Sequence, residues 1–351
     1  VWIMAYITFQ PHDYFNIKLY TGNGSTQSVT GVGFQPDWVW IKGRGSSAYD
    51  HQLFDAVRGA TKAIASNDNS TEATYSNSVT SFDSDGFSLG DFARTNSNGD
   101  NKVAWNWRAG AGAGSSNTDG SINTTSTSVN TTAGFSISKY TGTGSVATIG
   151  HGLGAVPSVV LVKRLDSSSD WRMFHTGAGP TKQLFLNTTG QKDDDNTIWN
   201  DTAPTSSVFT VGTNTGSNAS GGTYVAYCFT DIKGFSKCGK YLGNGSATES
   251  GVIYLGFKPS FFMIKNIDAS EPWMMYDAKR LGYNPAYSRI YANTNGQEDA
   301  ETKMDFISTG VKLRSAGDGH INQNGYNFVY MAFAENPLVS SNNIPALAKG
   351  I

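Results

Sequence analysis

Cysteine, charge and long apolar runs are all scarce in this 351-residue chain. Only Cys228 and Cys238 occur, too few for the disulfide framework of a small secreted scaffold. Both are read as free thiols packed as small hydrophobes. Charged residues are 15% of the chain and the formal net charge is −2. With no basic stripe to neutralise phosphates, no nucleic-acid partner is expected. The apolar opening Val1–Ile7 is too short to span a bilayer and lacks a basic flank or a small-residue cleavage pattern. No longer apolar run follows it, so no membrane insertion is expected. Val1 is not an initiator, which fits a processed start or a place within a longer chain. Sustained helical periodicity with capping signals is missing as well.

Glycine, Ser/Thr/Asn and aromatics take the place of what is missing. Forty glycines and 12% aromatic residues point to short strands joined by tight turns, with enough ring surface for several small cores. The dominant feature is repetition. Three segments open alike, as Leu19-Tyr-Thr-Gly-Asn-Gly-Ser25, Lys139-Tyr-Thr-Gly-Thr-Gly-Ser145 and Lys240-Tyr-Leu-Gly-Asn-Gly-Ser246. Each continues into a Pro-led strand: Pro36-Asp-Trp-Val-Trp-Ile-Lys42, Pro157-Ser-Val-Val-Leu-Val-Lys163 and Pro259-Ser-Phe-Phe-Met-Ile-Lys265. Each closes on an aromatic strand, Val103–Trp107, Val225–Phe229 and Val329–Phe333.

These anchors predict an all-β chain of three tandem antiparallel β-sandwich modules at 16–108, 134–230 and 234–335. An N-terminal segment 1–15 precedes them and a tail 336–351, with Pro337 and Pro345, follows. The Gly/Ser/Thr-rich stretch 109–133 reads as a flexible connector or an extended surface strand. In module 1 the predicted strands are Asn16–Tyr20, Trp38–Lys42, Gln52–Asp55, Lys62–Ala65, Val79–Phe82, Phe87–Leu89 and Lys102–Trp107. The Tyr-x-Gly-x-Gly phrases read as turns whose glycines supply positive φ. They are not phosphate loops, because no helix or Lys-Ser pair follows.

Candidate site residues are few. Trp38 and Trp40 share one strand face, and so do Trp105 and Trp107. They are read as core or inter-module packing, with a stacking surface for a glycan as the alternative. Val159 and Leu161 replace the first pair in module 2, which favours packing. Asp83 and Asp85 in Phe82-Asp-Ser-Asp-Gly-Phe87 are calcium candidates, but the acidic series of a calcium loop is incomplete and Asp85-Gly86 suits a hairpin turn. His12, His51, His151, His175 and His320 fall in no zinc spacing and at no shared repeat position. No nucleophile elbow or recurring acid pair is visible. No enzymatic activity, cofactor or metal is therefore expected. Sequons such as Asn123-Thr-Thr and Asn187-Thr-Thr follow from the composition.

The phrases Tyr20–Ser25, Gly33–Lys42, Leu53-Phe-Asp-Ala-Val-Arg-Gly-Ala-Thr-Lys62, Val103–Trp107 and Met331-Ala-Phe-Ala-Glu-Asn-Pro337 resemble a repeat family common in marine bacteriophage genomes. The resemblance runs from about Thr8 to Ala348. It implies a virion structural or tail-fibre-like protein with no established catalysis and no catalytic residues to carry over. The resulting expectation is a rod of modules in the virion that aids host adsorption. Its partners would be other virion proteins, further copies of itself (a trimer by analogy with fibres) and a host-surface glycan. Capsid decoration, a carbohydrate-binding module and a polysaccharide depolymerase are the alternatives.

Overall fold

The short runs of β-branched and aromatic residues pair almost entirely as antiparallel strands in this computed structural model, with 43% of residues in strand and 6% in helix. It describes residues 9–336 except 46–47, 249–250, 282–283 and 285. Residues 1–8 of the N-terminal segment and 337–351 of the tail, including Pro337 and Pro345, lie outside the described residues.

Each of the three segments builds a main sheet in the same order. In the first, Phe15–Thr21 pairs with Asn101–Trp107, which pairs with Trp38–Gly43, then Gln52–Asp55 and Gly59–Ile64. The second repeats this with Phe135–Thr141, Thr223–Phe229, Val159–Arg164, Arg172–His175 and Lys182–Phe185. The third does so with Ser236–Leu242, Asn327–Ala334, Pro259–Asn266, Met274–Asp277 and Ala286–Tyr291. Register makes the positions equivalent. Trp38 lies between Asp55 and Trp107, Val159 between His175 and Phe229, and Phe261 between Asp277 and Phe333.

A strand that is apolar on both faces must be covered on both. On one face Val39, Ile41 and Ala104 pack with Val29, Val79 and Phe87, which come from the short sheet Gln27–Thr30, Gly86–Leu89 and Val79–Asp83. Separate clusters of this kind form in the second and third segments. On the other face the three main sheets share one core, to which Trp38, Trp40, Trp105, Trp107, Leu161, Tyr227, Phe229, Phe261, Met263 and Phe333 all belong. The expectation of modules strung in series as a rod therefore fails, because the inward faces are too apolar to be left to solvent. The segments close on one another instead.

Six of the seven strands predicted for the first segment sit within a residue of their places. Lys62–Ala65 only overlaps the strand Gly59–Ile64, which starts three residues earlier and ends one residue earlier, and Gln27–Thr30 and Ala73–Thr74 were not anticipated. The stretch 109–133 is no loose connector. The Asp37 carboxylate accepts from the amides of Ala109, Ala111 and Gly112 at 2.7, 3.0 and 2.6 Å. Ile122 is buried in the second segment's outer cluster, and Ser126–Asn130 pairs with Phe135–Thr141.

The Tyr-x-Gly-x-Gly turns use their two glycines differently. A Cβ on Gly22, Gly142 or Gly243 would lie 2.2–2.4 Å from a backbone oxygen, whereas Gly24, Gly144 and Gly245 hold φ of +67°, +76° and +67°. Positive φ thus belongs to the second glycine alone, and the first permits close approach. A buried asparagine staples each turn. Asn96, Asn218 and Asn322 donate to the carbonyls of Ser25, Ser145 and Ser246 at 2.5, 2.6 and 2.9 Å.

Candidate functional site

The four tryptophans singled out in the sequence meet in the shared core, where Trp38, Trp40, Trp105 and Trp107 are 2, 2, 0 and 3% exposed. Trp38 lies 4.5 Å from the Trp107 ring and stacks on Tyr227 of the second segment at 4.6 Å. Trp107 meets Phe333 of the third segment edge-on at 5.6 Å. A glycan cannot reach these rings, so the stacking-platform reading is corrected. Their faces are covered by the neighbouring sheets, and they are interface aromatics between segments.

Around that core runs a set of hydrogen bonds in which the first segment reaches the third, the second reaches the first, and the third reaches the second. Lys42, Lys163 and Lys265, each fully buried, donate to the carbonyls of Asn295, Asn69 and Thr189, all at 3.1 Å. Burial pushes each ammonium down to about 8. One position further out, the indoles of Trp171 and Trp273 donate to Ala65 O and Phe185 O at 2.8 and 2.7 Å. The equivalent in the first segment is His51, whose Nε2 meets Tyr291 O at 3.0 Å. His51 Nδ1 accepts from the Trp40 indole at 2.7 Å, so the proton must sit on Nε2. Burial, and then the charge of Lys42, hold the His51 pKa well below its ordinary value.

A further clamp joins the closing strands to the hairpin strands. Tyr227 Oη donates to Asp55 at 2.6 Å and Trp105 Nε1 donates to Asp277 at 3.0 Å. Both carboxylates are buried and ion-paired within an Asp-x-x-Arg turn, to Arg58 and Arg280. Arg58 reaches on to Glu72 at 3.3 Å and Arg280 to Glu298 at 3.1 Å. The second segment has His175 at this position, and Met331 of the third stands where Trp105 and Tyr227 stand. His175 Nε2 bonds Tyr330 O at 3.1 Å while its Nδ1 accepts from Gly177 N at 2.9 Å. Burial lowers the His175 pKa to about 4.

The two calcium candidates are engaged within the fold. Asp85 accepts from the amides of Gly31 and Gly33 at 2.9 and 2.6 Å, which holds its carboxyl below the usual range. Asp83 accepts from Ser81 and Ser88, both at 2.7 Å. Among the described residues no group of three or more His, Cys, Asp or Glu is placed to hold a metal ion. Cys228 and Cys238 are buried free thiols. No helix among the described residues is long and apolar enough to cross a membrane.

Sequence reasoning missed the clamp residues. Their signal was present in the lysine that ends all three Pro-led strands, and in Asp55-x-x-Arg58 repeated as Asp277-x-x-Arg280. His51 and His175 did not look equivalent to anything because their counterparts are Trp171 and Asp55, not histidines.

A family model described as a domain of unknown function (DUF7483) matches residues 10–337. The chain belongs to this family. The match covers the turns, clamps and shared core of all three segments, so the DUF7483 unit is the closed arrangement and not one repeat. No curated protein and no solved structure matches the chain.

Proposed function

We propose that the chain is a non-enzymatic structural component of a bacteriophage particle, a tail-fibre or appendage unit that contributes to host-surface adsorption. One observation carries this reading. The buried lysines, the Asp–Arg turns and the two deeply buried histidines described above all bind segment to segment, and none stands beside an open nucleophile or a matched acid pair. A fold whose buried polar chemistry serves closure suits load and display. In this reading each segment is a two-layer sandwich, and the three form one knob whose outer surface is Gly/Ser/Thr/Asn loops. Other virion proteins are its partners.

A knob that closes on itself also suits attachment to capsomers, so capsid decoration is the second reading. Immunogold labelling of purified particles tests both. Label on tail or fibre supports the adsorption unit, label confined to the head supports decoration, and particles that carry no label overturn both. Added protein that competes with phage for host cells would support the adsorption role directly.

A further inference from the structure

We propose that the first segment carries a binding site for one neutral sugar ring, in a space that the other two segments fill with their own side chains. The inference rests on the adsorption reading and gives it a ligand class.

Register sets the comparison. Ala63 pairs with Ala73 across two strands of the first segment, Gln183 with Asp193 in the second, and Arg289 with Asp299 in the third. In the second segment Gln183 donates to Asp193 at 2.8 Å and accepts from Arg172 at 2.9 Å. In the third, Arg289 clamps Asp299 at 2.7 and 3.0 Å. The first segment puts two methyl groups where those polar chains lie, and Gln52 where Arg172 lies. A cavity of about 140 Å³ opens there, lined by the two alanines with Gln52, Asp68, Ser70, Thr71, Tyr75 and Arg94.

The wall has unfinished hydrogen bonding. Gln52 is 2% exposed and its Nε2 donates to His51 O at 2.9 Å, but its Oε1 has no donor. A buried acceptor left open is costly, and because the Gln52 side chain lines the cavity, rotation of its amide toward the opening would offer that acceptor to a ligand hydroxyl. Tyr75 is held by a stacked contact with Phe92 at 4.3 Å and contributes an aromatic surface. Arg94 is neutralised by Asp50 at 3.0 Å, so with Asp68 alongside the site offers no net positive charge to an anion. The volume is below the ~300 Å³ of drug-sized pockets, which limits the occupant to a single ring. Hydroxyl donors for Gln52 and Asp68, an apolar face for Tyr75 and further bonds to Ser70 and Thr71 together describe a neutral pyranose, bound as one residue of a surface polysaccharide.

The test uses the full chain with glucose, galactose, mannose and N-acetylglucosamine, read by saturation-transfer NMR, and fluorescent protein on host cells. The double variant Ala63→Gln/Ala73→Asp rebuilds the polar pair of the second segment, and Thr71→Trp blocks the rim from an exposed position. Binding of at least one sugar is expected to fall tenfold or more in both variants, with melting temperatures unchanged for Thr71→Trp. No binding by any of the four sugars, or equal binding by both variants, overturns the site. If wild-type and variants adsorb equally to cells, the sugar site fails while the adsorption reading stands. If the sugar binds in the cavity but cells never retain the protein, the site stands and the adsorption reading fails.

Discussion

The clamps at Asp55 and Asp277 differ in kind from the clamp at His175, although all three hold the same position in their sheets. The first two are buried carboxylates, each neutralised by an arginine three residues on and approached by a side-chain donor from another segment. The third is an uncharged imidazole that gives its proton to a backbone carbonyl. Met331 offers no donor, so a carboxylate at 175 would be buried with neither its arginine nor its tyrosine. The difference teaches that the repeat preserves where segments touch while the chemistry of the touch is free to change. A buried ion pair is costly to break and weak as a net source of stability, so a neutral substitute at one of three positions is tolerated.

That contrast can be broken most severely at Asp277. Asp277→Ala leaves Arg280 buried against Glu298 alone and should cost about 3–5 kcal/mol, read as a lowered urea midpoint. Replacing Asp277 and Arg280 together by Leu and Met should recover most of that loss. If the double variant is no better than the single, uncompensated charge is the wrong explanation.

Acid should separate the two kinds of clamp next. His175 titrates near 4 in the fold and near 6.5 when unfolded, so as pH falls the unfolded chain takes up the proton first. Its contribution is whole above about 6.5 and is lost between there and 4, on the order of 3 kcal/mol for the full shift. His51 adds in the same direction. The lowered carboxyls of Glu298 and Asp318 begin to lose their share only at more acidic pH. His320, whose pKa the bond to Asp318 raises, works against this slope, so equal slopes from pH 7 to 5 in the wild type and in a His175→Asn variant would contradict the buried neutral imidazole. His175→Asn, which keeps a donor and cannot charge, should flatten the upper part of the slope.

A smaller effect follows from Tyr227→Phe. It removes one bond to the Asp55 carboxylate and should cost about 2 kcal/mol, since bonds to charged groups contribute roughly 1.5–3. Met331→Leu at the equivalent position should cost less than about 1.5 kcal/mol. Comparable losses in chemical denaturation would mean that packing, not the hydroxyl, dominates the clamp. The smallest change expected is Gly24→Ala, about 1 kcal/mol for the left-handed backbone. Gly22→Ala should cost more, because its Cβ would fall 2.2 Å from Ser97 O.

Much of the architecture was legible because strand signals are local. Gln52–Asp55 was bounded by its turns, and the three anchor phrases aligned the sheets before any contact was known. Gln27–Thr30 was missed because Gln27-Ser-Val-Thr30 has a single apolar residue and becomes a strand only by pairing with Gly86–Leu89. Closure was illegible for another reason. Alternation along a strand says that both faces need cover, but not whether a module's own loops or another module provides it. The tryptophans at 38, 40, 105 and 107 therefore read as packing on the strength of Val159 and Leu161 alone, with display left as the alternative. The cavity beside Ala63 and Ala73 was beyond reach too, since it is defined by alanines whose meaning appears only beside Gln183 and Arg289.

The cyclic order of the lysine contacts has a consequence for how such a molecule can change over time. First to third, second to first and third to second is the head-to-tail arrangement of a three-subunit ring, here carried on one polypeptide. In a ring of identical subunits every mutation appears three times, so a residue that improves one outward surface must also be tolerated on the other two. Covalent fusion removes that constraint. One segment can carry Ala63 and Ala73 and open a cavity while the second holds a Gln–Asp pair and the third an Arg–Asp pair there, and the inward contacts that hold the ring together are left untouched.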